Sequence, residues 1–106
     1  MRIYISGKIT GVPIEEAITW FNYHSNYIGN KGHQTVNPMA LPHKHNQSWE
    51  SFMKEDIAAL MGCDGIYMIH GWKKSKGARL EYELAERLGI EIFLFQIQIP
   101  NICNDF

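Results

Sequence analysis

The chain has 106 residues and a net charge of −1, from 10 Lys+Arg against 11 Asp+Glu, with 45% hydrophobic, 12% aromatic and 20% charged residues. That length supports a single domain over residues 1–106 built on one core, and the composition is globular rather than disordered. The charge balance lacks the basic excess of a nucleic-acid scaffold, two cysteines are too few for a disulfide framework or a four-thiolate zinc site, and no stretch nears the roughly 20 apolar residues of a membrane span.

The chain opens directly on strand-like sequence, Met1-Arg2-Ile3-Tyr4, with no signal-peptide pattern, so a cytoplasmic location is expected. Residues 2–6 alternate β-branched and aromatic side chains and stop at Gly7, which predicts a short buried strand. Residues 7–13 form a loop with two glycines and Pro13, a residue suited to a first helical turn. A helix follows over residues 14–28, with Ile14, Ala17, Ile18, Phe21 and Ile28 on one stripe and Glu15, Glu16 and Asn22 facing away. Gly29 and Gly32 supply its stop. Residues 33–37 read as a second strand, closed by Pro38.

The connection over residues 38–47 carries Pro38, Pro42, His43 and His45, and its length marks it as a candidate functional loop. Ser48 caps a helix over residues 49–61. Residues 65–69 are a third strand, 70–76 a polar turn, and 77–88 a third helix ending at Gly89. Residues 90–97 read as a strongly apolar fourth strand, and 99–106 as a tail that must dock on the body. Strands alternating with helices at this spacing predict an α/β, doubly wound, three-layer fold of the flavodoxin/Rossmann kind. Its small parallel sheet has four to five strands in the order 2-1-3-4. Ligands of such sheets sit beyond the carboxyl ends of the strands where the order reverses, here at the loops over residues 7–11 and 70–77.

Two acids fall in apolar stripes. On the third helix Gly77, Ala78, Leu84, Ala85 and Leu88 mark the core-facing side, and Glu81 stands within it, four residues from both Gly77 and Ala85. On the second helix Asp56 lies between Phe52 and Leu60 at four-residue steps, beside Met53 and Ile57. An acid in a core stripe is either paired, for Glu81 with Lys8, Lys76 or a buried tyrosine, or part of a site. Two such acids near one predicted crevice favour a site. Burial would raise one carboxyl and leave the other ionised, so that the pair divides the work of nucleophile and general acid in glycosyl transfer.

The loop Gly7-Lys8-Ile9-Thr10-Gly11 offers backbone N–H groups, an ammonium and a hydroxyl near a helix start, which suits a phosphate or a sugar hydroxyl. Ser75 adds a donor at the start of the third helix, although an N-cap alone explains it. Trp49 and Trp72 flank the crevice, and Trp72, in a polar turn, is the better candidate to stack on a base. His43-Lys44-His45, with Cys63 and His70, invites a metal site, but the spacing matches no common zinc pattern. We expect no metal and no cofactor.

Taken together, these residues are similar to those of the nucleoside 2-deoxyribosyltransferase-like superfamily, and specifically to its short bacterial and phage branch, DUF4406. The resemblance covers nearly the whole chain. Tyr4-Ile5-Ser6-Gly7-Lys8-Ile9-Thr10-Gly11 resembles the start of that branch and the Tyr-x-x-Gly-Ser-Ile-Arg-Gly of the 2′-deoxynucleoside 5′-monophosphate N-glycosidases. Residues 56–64 resemble the helix whose aspartate lies eight residues before the Asp that opens strand three. Residues 75–85 resemble the Gly-x-x-x-Glu-x-x-x-Ala signature around the catalytic glutamate.

The resemblance implies that Glu81 is the nucleophile at C1′, that Asp56 assists departure of the base and that Tyr4 orients Glu81. Gly7, Lys8, Ile9, Ser75 and Gly77 would then line the sugar or 5′-phosphate pocket. Ser75 replaces the acid that the transferases place six residues before the glutamate, which tilts the expectation towards hydrolysis of a nucleotide. Lys8 and Thr10 depart from the glycosidase loop, so phosphate recognition is altered in detail. The implied enzyme is an N-glycosidase or deoxyribosyltransferase with a nucleoside or nucleotide substrate, no nucleic-acid or membrane partner, and a homo-oligomeric state in which subunits share sites. A non-catalytic nucleotide-binding module using the same crevice is the alternative.

Overall fold

The computed structural model describes residues 1–43 and 47–102. The alternation over residues 2–6 becomes β1 (Arg2–Ser6), whose last four residues are all buried. It is followed by α1 (Ile14–Asn30), β2 (Gln34–Val36), α2 (Trp49–Met61), β3 (Gly65–Met68), α3 (Lys76–Leu88) and β4 (Glu91–Phe93). The four strands are parallel in the order β2-β1-β3-β4, as expected. β1 is therefore central, with Tyr4 paired to Val36 on one side and Ile66 on the other.

The period-two alternation of β1 assigns its side chains to two layers. Ile3 and Ile5 join Tyr67, Ile69 and Phe93 against Phe21 and Ile28 of α1. Tyr4 points the opposite way, with Ile66 and Met68, towards Leu60 of α2 and Ala78 and Ala85 of α3. The helices begin where their caps predict. The Ser48 hydroxyl accepts from Ser51 N and the Ser75 hydroxyl from Ala78 N, each at 3.1 Å. Gly89 ends α3 in the left-handed region, φ 72°.

Three expectations shift. The inward stripe of α1 runs through Ala17, Phe21, His24 and Ile28, while Ile14 and Ile18 are exposed. On α3 the inward stripe is Ala78, Glu81 and Ala85, and Leu88 is exposed. The fourth strand stops at Phe93 because it pairs only with β3, and only through Tyr67. Beyond that point the Gln98 side chain accepts from Leu94 N and Phe95 N, folding the apolar run into a short 3-10 turn (Gln96–Gln98) with Ile97 exposed.

The tail docks as far as it is described. Ile99 is buried in the α1-side core, the ammonium of Lys31 donates to the carbonyls of Gln96 and Ile99, and Ile102 N donates to Lys31 O. Among the described residues no helix is long and apolar enough to cross a membrane.

Candidate active site

Tyr4 and Ser6 share one face of β1, two residues apart, and that face looks at α3. Glu81, buried in the inward stripe of α3, meets them there. The Tyr4 hydroxyl donates to Glu81 Oε2 at 2.5 Å and the Ser6 hydroxyl to Oε1 at 2.7 Å. Both carboxyl oxygens thus have a buried hydroxyl donor, which is how a core position tolerates an acid.

Glu81 also lines a cavity of about 580 Å³, together with Tyr4, Gly7, Ile9, Thr10, Asp56, Ser75 and Gly77. Further walls come from Met39, Leu41 and His43 of the loop after β2, and from Trp49, Phe52 and Met53 of α2. The cavity opens at the carboxyl ends of β1 and β3, where a doubly wound sheet places its ligand. A Cβ at Gly7 would stand 3.1 Å from Ile69 and 3.2 Å from Phe21. The glycine lets the loop cross the end of the sheet in close contact before it turns into the cavity wall.

Burial pushes the Glu81 carboxyl up to about 7, against the opposing hydrogen bonds of Tyr4 and Ser6, with the Asp56 charge adding to the rise. Burial also pushes Asp56 up, to about 6, with Glu55 adding to the rise and the facing His43 pulling back. Burial and the neighbouring Glu81 and Asp56 raise the Tyr4 phenol well above its ordinary value, so Tyr4 stays a donor. The two acids are thus set apart in the order Glu81 above Asp56, although neither keeps its ordinary value. Both are raised, chiefly because both are withdrawn from water, and Glu81 the more so because it is the more deeply buried.

The predicted site residues divide. Tyr4, Gly7, Ile9, Asp56, Ser75, Gly77 and Glu81 come together around one cavity. Lys8 lines an adjoining depression of about 400 Å³ with Lys74, Lys76 and Glu50, which shares Thr10, Trp49, Ser75 and Gly77 with the main cavity. Trp72 lies elsewhere. Its ring stacks on Tyr82 of α3, centroids 4.6 Å apart and planes 21° apart, so one of its faces is occupied by the protein. Trp49 is the tryptophan on the cavity wall, and the Lys76 ammonium sits 4.0 Å from its ring centroid.

Ser6 was missed as a site residue, although its place two residues after Tyr4 puts it on the same face. The sequence groups His43 with Lys44 and His45 as a possible metal site. His43 instead faces Glu55 and Asp56, while Lys44, His45 and Cys103 lie outside the described residues. Among the described residues no three His, Cys, Asp or Glu side chains cluster so as to hold a metal ion.

The fold is a parallel α/β fold shared with a 2-deoxyribosyltransferase. A solved structure of a 2-deoxyribosyltransferase from the psychrotolerant bacterium Bacillus psychrosaccharolyticus matches with a TM-score of 0.67 at 18% identity, over 87% of this chain and 69% of that one. The chain belongs to the DUF4406 family, a domain of unknown function, which it matches over residues 1–94. No curated protein matches the sequence.

Proposed function

We propose that the protein cleaves or transfers the N-glycosidic bond of a nucleoside or nucleoside 5′-monophosphate, with Glu81 as nucleophile. The observation that carries this reading is a glutamate gripped at both oxygens by buried hydroxyls, in the wall of a nucleoside-sized cavity that also contains Asp56. Likeness to the 2-deoxyribosyltransferase supports it through the fold.

In this mechanism a Glu81 oxygen forms a bond to the anomeric carbon as the bond from that carbon to the base nitrogen breaks. The base leaves with a proton from Asp56. Water or a second base then displaces Glu81, giving hydrolysis or exchange. Tyr4 and Ser6 hold the carboxylate before attack and release it without rearrangement. Before substrate binds, Glu81, the more deeply buried of the two acids, keeps its proton to a higher pH than Asp56. Positive charge developing on the sugar favours ionised Glu81, and the base nitrogen favours protonated Asp56, so substrate draws the proton to where departure needs it. The depression lined by Lys8, Lys74 and Lys76 suits the 5′-phosphate, since it joins the cavity through Ser75 and Thr10.

A glycosyl-enzyme should accumulate with a 2-fluoro-arabinosyl nucleoside, and Glu81→Gln should abolish both trapping and base release. Failure to release base from any member of a nucleoside and 5′-monophosphate panel refutes the reading. A second reading, a nucleotide-binding module without turnover, is favoured by one observation: burial raises the Glu81 carboxyl to about 7, and its protonated form can donate a hydrogen bond to a ligand. It predicts tight binding, no base release, and affinity that survives Glu81→Gln.

A further inference from the structure

His43 belongs to neither role above, yet its surroundings are built. It leaves the short 3-10 turn after β2 (Pro38–Ala40) and reaches back over α2. Its Nδ1 is in contact with Glu55 Oε2, and its Nε2 lies 3.1 Å from Asp56 Oδ1 and 3.2 Å from Pro38 O. Edge-on packing against Phe52, centroids 4.9 Å apart, fixes the plane of the ring. Glu55 is held in turn by Gln47, whose side-chain amide donates to Glu55 Oε1 at 2.7 Å and to the Ser51 hydroxyl at 3.0 Å.

Successive acids on one helix normally diverge, since neighbouring positions point about 100° apart. Here the imidazole spans the two, with Nδ1 towards Glu55 and Nε2 towards both Asp56 and the Pro38 carbonyl. The Asp56 side chain is only 11% exposed and that of His43 16%. Asp56 Oδ1 is sealed from solvent, and His43 Nε2 faces it at ion-pair rather than aligned hydrogen-bond geometry. Asp56 is also among the residues that line the cavity. Among the described residues, the charged and titratable groups around Asp56 are His43 from the loop, Glu55 on α2, Glu81 on α3 and Tyr4 on β1. His43 is the one among these that favours ionised Asp56.

We propose that His43 is the positioning residue of Asp56: anchored by Glu55, its imidazole pins Asp56 Oδ1 in the cavity wall and leaves the second oxygen to serve the departing base. This rests on the N-glycosidic reading, in which Asp56 gives up a proton and must regain one each turnover. His43 acts through Asp56 and need not touch the substrate.

The test uses the full chain as wild type, His43→Leu, His43→Gln and Glu55→Gln, with two readouts. The first is the Asp56 carboxyl titration followed by carbon NMR, assigned with Asp56→Asn. The second is base release as kcat and KM across pH. In His43→Leu the Asp56 midpoint should rise by about one pH unit or more. Its kcat should fall roughly tenfold or more with KM little changed. His43→Gln, which restores a donor, should recover part of both, and Glu55→Gln should move both in the same direction by less. If His43→Leu does not fold, the other two variants carry the same comparison. An unmoved Asp56 midpoint in the folded variants overturns the proposal whatever the activity. An unchanged kcat in an active enzyme overturns it as well. A midpoint that moves while wild type releases no base leaves His43 holding Asp56 and sinks the glycosidic reading instead.

Discussion

Replacing Glu81 with glutamine should stabilise the protein at alkaline pH while removing its activity. In the folded chain the Glu81 carboxyl keeps its proton up to about 7, against an ordinary value of 4.5. Between those values the native state binds more protons than the unfolded chain, so its stability falls as pH rises through that window. A displacement of that size corresponds to about 3 kcal/mol of unfavourable ionisation once Glu81 is fully charged. Asp56, raised to about 6, acts with the same sign over a lower window. Glutamine is nearly isosteric and carries no charge to desolvate, but its amide pairs less well with the Tyr4 and Ser6 hydroxyls, a loss of about 1 kcal/mol. The net expectation is a gain of about 1–2 kcal/mol at pH 8, and none, or a small loss, at pH 5. Urea unfolding of both proteins at the two pH values measures it, with the slope checked for constancy. A Glu81→Gln protein no more stable than wild type at pH 8, relative to pH 5, refutes the claim that ionised Glu81 is held there at the expense of folding.

Tyr4→Phe removes the donor to Glu81 Oε2 and with it a hydrogen bond that favours the charged form. The acid limb of the base-release profile should move up by about one pH unit, with activity recovering at higher pH. Trp72→Ala should lower stability by about 1–2 kcal/mol through loss of the stack on Tyr82. Nucleotide KM should stay within about twofold of wild type, whereas a ring that stacks on the base would raise it far more. Gly65→Ala places a Cβ 2.9 Å from the Phe93 ring and 3.4 Å from Glu91 O across the β3–β4 pair. Thermal unfolding should show a loss of about 1–3 kcal/mol from overpacking, without a change in the pH profile of activity.

Much of the fold was legible in local sequence. Ser48 and Ser75 announced helix starts, Gly89 a helix stop, and the alternation of residues 2–6 a central strand. The rule that parallel crossovers are right-handed then ordered the sheet. The fourth strand was not legible, because an apolar run shows that residues 90–97 want burial but not how many backbone groups find a partner. β3 offers pairing only as far as Tyr67, and the Gln98 side chain takes over beyond it. The exposed Leu88 and Ile14 show the same limit, since a helical stripe drawn from hydrophobicity has a breadth but no fixed edge.

By itself the sequence determined which groups the protein would have to bury against its chemistry: an acid at Glu81 and another at Asp56, each in a stripe that the helical period turns inward. The identity of their partners was a tertiary matter. Tyr4 and Ser6 precede Glu81 by 77 and 75 residues and reach it only because β1 lies at the centre of the sheet with its even-numbered face under α3. His43 reaches Asp56 only because the loop after β2 folds back over α2. Trp72 finds its stacking partner in Tyr82, ten residues on in α3. Periodicity is set by backbone geometry a few residues at a time, whereas the field at a buried carboxyl is set by whatever the crossovers bring within a few ångströms of it.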